Sequence, residues 1–147
     1  MRSVPIPSSL PGYIAGGCLP LDRHGRWKHY VEVAVYRDVK TMRAALERLC
    51  RRPPAYFHNT QAAAHSWILN TLPRHRGIVV FHRGQLGSGI VAHEMTHAAD
   101  FYVRGYRKFK PNSNAGQEAL ASSVGTLVNA FWRWYYKNKR KISGRKK

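Results

Sequence analysis

The sequence predicts an α+β fold: a small twisted sheet packed on one mid-chain helix and on a long C-terminal helix. Three observations predict it. Two β-branched and aromatic runs, W-K-H-Y-V-E-V-A-V-Y (Trp27–Tyr36) and G-I-V-V-F-H-R (Gly77–Arg83), read as strands. Apolar residues recur at helical spacing after Asp38, after Ser88 and from Gln117 onward. The chain has 147 residues, enough for one domain with a real core and too few for two.

The elements follow in order. Residues 1–26 are rich in proline and glycine and show little periodicity, which predicts an extended N-terminal arm lying on the domain. The domain proper is expected over 27–137. It begins with the Trp27–Tyr36 strand. Asp38 is placed to cap a helix through Arg51, with Met42, Leu46 and Leu49 on one face and Pro53-Pro54 ending it. Residues 55–70 are ambiguous and read as two short strands joined by a turn. After the Gly77–Arg83 strand, a glycine-bearing turn leads to Ser88 as N-cap. A helix then runs to about Val103, with the stripe Val91, Met95, Ala99 and Tyr102 and with Gly105 just past its end. A second long helix is expected from about Gln117 to Lys137, with the stripe Leu120, Val124, Leu127, Phe131 and Tyr135. Residues 138–147 read as a basic, disordered tail.

Charge sets this chain apart. It has 25 Lys and Arg against 7 Asp and Glu, a net +18. A field of that sign attracts polyanions, so the basic surface and tail make nucleic acid or another polyanion a candidate partner. The run F-W-R-W-Y-Y, Phe131 to Tyr136, adds aromatics beside the tail that can stack on bases or pack as core. Only two cysteines are present, Cys18 and Cys50, and neither lies in a C-x-x-C, so free thiols in a reducing compartment are expected. No apolar run is long enough to span a bilayer, and the proline-bearing N-terminus is a poor secretory signal. The expectation is a cytoplasmic protein without a membrane partner.

The stretch that carries chemistry is G-I-V-A-H-E-M-T-H-A-A-D-F-Y, Gly89 to Tyr102. Residues four apart on a helix lie one above the other, so His93 and His97 point the same way. Two imidazole nitrogens at that spacing reach one zinc ion at about 2.0–2.1 Å each. Glu94, one step round the helix, is placed to deprotonate a zinc-bound water without ligating the metal. A catalytic zinc ordinarily has a third protein ligand. The candidate is Glu118, in A-G-Q-E-A-L-A-S-S-V-G, which shares a helix face with Ala121, Ser122 and Gly125. Small residues there allow close approach of the two helices. Three of the seven acidic residues, Glu94, Asp100 and Glu118, fall within 25 positions of one another.

H-E-M-T-H-A-A-D followed by the glutamate of G-Q-E-A-L-A-S resembles the zincin metallopeptidases, specifically the gluzincin arrangement of thermolysin-like enzymes. The strand–turn–helix order, with Glu118, Ala121, Val124 and Gly125 matching E-x-x-A-x-x-V-G, is also similar to small zincins encoded by phages and prophages. The resemblance covers about residues 77–131. It implies a minimal zincin-like fold, with the mid-chain helix as active-site helix. It implies His93, His97 and Glu118 as zinc ligands and Glu94 as general base. A protein or peptide substrate would follow, with a phage particle as a further candidate partner and the host cytoplasm or virion as location. Two departures stand out. Thermolysin-like enzymes carry an aspartate four residues after the ligand glutamate to orient a zinc histidine; Ser122 stands there, and Asp100 is the substitute candidate. The metzincin pattern is excluded, because its glycine and third-ligand positions hold Asp100 and Val103. Tyr102, Tyr106 and His82 are the candidates for stabilising the transition state, and the Ile78–Arg83 strand is the candidate to pair with an extended substrate.

Two rival readings come from other classes. One is a basic nucleic-acid-associated protein with a structural or vestigial zinc site. The other is a phage structural protein in which the zincin fold serves assembly.

Overall fold

The structure is a computed structural model that describes residues 6–22, 29–66, 74–110 and 112–144. Strands β1 (Tyr13–Pro20) and β2 (Tyr30–Tyr36) are followed by helix α1 (Val39–Cys50). Strands β3 (Ala62–Ser66) and β4 (His75–His82) come next, then helices α2 (Ser88–Asp100) and α3 (Asn114–Ser143). The sheet order is β1-β2-β4-β3, with β2 and β4 parallel and both outer pairs antiparallel. The α+β class and the long C-terminal helix are as the sequence predicts.

The two central strands are apolar on both faces because both faces are covered. Val31, Val33, Val35, Val79 and Phe81 point to one side, where Val91, Met95, Leu127 and Phe131 meet them. Ala34, Tyr36, Ile78 and Val80 point to the other, against Met42, Leu46 and Leu49 of α1. Helix α1 thus covers one face and the α2/α3 pair the other. Each large side chain so buried stabilises by about 1.5–3 kcal/mol relative to exposure.

Helix α1 matches its expectation: Asp38 accepts the Thr41 N–H at 2.8 Å, and Arg51 closes the helix in the left-handed conformation, φ 53°. Helix α3 is held across the sheet at two points. The Ser123 hydroxyl donates to the Leu21 carbonyl (2.9 Å), and the Trp134 indole N–H donates to that of Gly16 (3.3 Å). Close approach requires glycine here, since a Cβ at Gly17 would come within 2.7 Å of the Trp134 nitrogen.

Several boundaries differ from the sequence reading. Residues 13–20 are no arm: they form β1, an outer strand of the sheet, because backbone pairing to β2 needs no periodic side chains. Only one strand forms between 55 and 66; the preceding segment, Pro54–Phe57, is a 3-10 turn, as its prolines favour. Helix α3 starts earlier, capped by Ser113, whose hydroxyl accepts the Gly116 N–H (3.0 Å). It also continues through Ser143, so residues 138–143 are helical rather than a disordered tail. Ile142, 2% exposed, anchors that end in the core. Residues 23–28 and 67–73, which hold parts of the expected arm, first strand and second short strand, lie outside the described residues.

Candidate metal centre

Helix α2 is built with one apolar face and one polar face. Val91, Met95, Ala99 and Tyr102 are buried, as their spacing predicts, and His93 and His97 lie exposed on a different face. Its N-cap is Gly87, not Ser88, and no side chain caps it. Beyond Asp100 the helix widens into one π turn, Phe101–Tyr106, in which the Arg107 N–H bonds the Tyr102 carbonyl at 2.9 Å. Gly105 therefore lies inside this turn and not past the helix end. Such turns often occur beside functional sites.

The two histidines converge. Their Nε2 atoms are 3.1 Å apart, with ring centroids at 4.7 Å and planes nearly perpendicular. Two ligands of a tetrahedral zinc at 2.0–2.1 Å would stand about 3.3 Å apart. The spacing thus fits a shared zinc ion, and it also fits one hydrogen bond between the rings. The Glu94 carboxylate lies 3.9 Å from the His93 Nε2 and is buried, whereas the His93 side chain is two-thirds exposed. Burial pushes the Glu94 carboxyl above its ordinary value. His93, His97 and the Ala64 backbone N–H, which donates to the carboxylate, act the other way.

Ala64 belongs to β3, the outer strand beside α2. Sequence reasoning missed this contact. The donor is a backbone amide in A-A-A-H-S, where no side chain signals it. The same topology corrects the expected substrate strand. β4 is paired on both sides, to β2 and to β3, so it has no free edge; the edge beside α2 is that of β3.

The remaining candidates are dispersed. Glu118 and Ser122 sit on the exposed face of α3 and line a groove of about 610 Å³ shared with Asp22, Gly125, Asn129 and Arg133. Among the described residues, no third His, Cys, Asp or Glu joins His93 and His97 in a group that could hold a metal. Asp100 pairs with Arg104 one turn on, because that guanidinium is the nearer charge. Tyr102 is buried on the core side of α2, where its hydroxyl meets His29 Nδ1 at 3.3 Å and its ring stacks on Tyr106. Tyr106 in turn lies under the Arg76 guanidinium, 3.7 Å from the ring centre. His82 sits on the α1 side: burial lowers its pKa most, the Arg43 charge lowers it further, and its Nε2 is 3.4 Å from Gln61. The sheet therefore separates His82 from α2. None of these three is brought to the histidine pair. Phe101 is: its ring stacks on that of His97, centroids 6.3 Å apart.

No known family model matches the chain, and no curated protein or solved structure is significantly similar to it.

Proposed function

We propose that this chain is a small zinc-dependent metallopeptidase, with His93 and His97 holding the metal and Glu94 as general base. The observation that carries the reading is the convergence of two exposed Nε2 atoms, 3.1 Å apart, beside a buried carboxylate. Zinc bound there would supply a Lewis acid that polarises a peptide carbonyl and acidifies a water. The rest falls to the chain's own groups. Glu94 is kept in place by the Ala64 N–H, and its raised pKa suits it to accept a proton from water and return it to the leaving amine. The open face at His93 and His97 leaves room for a polypeptide, and β3 offers an edge along which an extended chain could pair.

Glu118 is the third ligand that the zincin resemblance implies, and reaching the pair would require the first turns of α3 to move. Metal content of the purified, untagged protein by inductively coupled plasma mass spectrometry is the primary test. About one zinc per chain is expected, falling to near zero in His93→Ala and His97→Ala. Glu118→Gln should lower zinc affinity at least tenfold; unchanged affinity would remove Glu118 from the site. No zinc in the wild type, and none taken up at neutral pH, would sink the peptidase reading. With zinc confirmed, cleavage of a proteome-derived peptide library by wild type but not by Glu94→Gln tests the reaction.

A further inference from the structure

The C-terminal half of α3 presents a different surface. From Ala119 to Ser143 the helix holds no Asp or Glu and five cations: Arg133, Lys137, Lys139, Arg140 and Lys141. All five are exposed, and no ion pair among the described residues neutralises them. Arg133, Lys137 and Arg140 follow one another at helical spacing and form a single stripe, its positions about 4.5–6 Å apart along the axis. Arg83, at the end of β4, extends it: its guanidinium lies against Gly144 at the helix C-terminus, where an added Cβ would come within 2.9 Å. Two carboxylates, Asp22 and Glu118, line the groove that Arg133 also borders.

The aromatic run is mostly spoken for. Phe131 is fully buried, the Trp134 indole is bonded to Gly16, and Tyr135 stacks on Phe131. Tyr136 alone stands out, 67% exposed, between Arg133 and Lys137. This arrangement does not suit a lipid surface, since interfacial helices bury a free apolar face and here that face is packed against β1 and α2. It suits a strand of phosphates with unstacked bases, because cations can track the backbone and an exposed ring can stack one base.

We propose that this stripe binds single-stranded nucleic acid, with Arg133, Lys137 and Arg140 on phosphates and Tyr136 on a base. Neither the zinc site nor peptide hydrolysis is required. Fluorescence anisotropy with labelled single-stranded DNA and RNA oligonucleotides, across a salt series and with chelator present, tests it. The wild type should bind with a steep salt dependence. Replacing Arg133, Lys137 and Arg140 together by Glu should reduce the slope of log K against log salt by about 2 or more. Tyr136→Ala should weaken binding about 5–150-fold. The matching Gln triple variant and circular dichroism guard against misfolding. The control replaces Lys40, Arg48 and Arg52, exposed on and beside α1, by Glu for the same charge change. An equal loss in that control would overturn the proposal in favour of diffuse charge. Equal affinity for duplex with no effect of Tyr136→Ala would overturn the single-strand assignment. Equally tight binding to phosphatidylserine vesicles, lost in the α3 triple variant, would identify a lipid surface instead.

Discussion

Asp38 and Glu94 are both carboxylates at helices that pack on the sheet, yet the protein treats them oppositely. Asp38 is half-exposed at the start of α1, and the Thr41 N–H holds its carboxyl below the ordinary value of 3.8; the Thr41 hydroxyl and Arg37 contribute less. Glu94 is buried on α2, and loss of water raises its carboxyl above 4.5 despite two neighbouring imidazoles and one amide. The first arrangement stabilises the helix it caps. The second works against folding at neutral pH, because the charged form is desolvated. Helix α1 obeys every local rule: a capping side chain, a left-handed stop and a clean apolar stripe. Helix α2 breaks them, with no side-chain cap, a π turn at its end and an acid facing inward. Departures of this kind mark functional positions more often than errors.

The comparison can be broken most forcefully by activity. In Glu94→Gln, hydrolysis of any peptide the wild type cleaves should fall by about 10²–10⁴-fold with zinc content unchanged. Equal activity would show that the inward acid has no chemical task. Next in size is packing. Leu46→Ala on the α1 side and Met95→Ala on the α2 side should each destabilise by about 2–5 kcal/mol in urea titrations. Similar losses would show that α2 departs from the rules only in its polar groups. A smaller effect separates the two acids. Asp38→Ala should lower Tm by roughly 2–6 °C, whereas Glu94→Gln in metal-free protein should leave Tm unchanged or raise it. A large loss on Glu94→Gln would mean that the Ala64 hydrogen bond outweighs desolvation.

The smallest effect is in pH dependence. Asp38 contributes stability that is present above 3.8 and lost as pH falls through its lower folded value. Glu94 has the opposite sign. As pH falls from its raised folded value towards 4.5, the fold takes up a proton that the unfolded chain does not yet bind. Metal-free wild type should therefore gain stability relative to Glu94→Gln over that window and keep a constant difference below it. A difference growing in the other direction would show that the imidazoles and the Ala64 amide outweigh burial.

Wherever a local signal carries an element, the sequence alone determined it. Asp38, the spacing of Met42, Leu46 and Leu49, and the β-branched run of β4 each name their own structure, because capping and periodicity act within a few residues. His93, Glu94 and His97 are equally legible, since one helical turn sets their relation; the fold leaves the two histidines exposed and buries the glutamate between them and β3. Tertiary structure decided everything that depends on which elements meet. A-A-A-H-S lies in a stretch whose sequence is ambiguous, and nothing in it shows that it becomes the edge strand whose Ala64 amide holds Glu94, because pairing to β4 is a backbone affair. His82 is a plausible partner in sequence and an impossible one in space, since strand parity turns it to the α1 face. Glu118 is the same lesson at longer range: local spacing sets its helix face, but only the packing of α3 across β1 and α2 decides what that face meets.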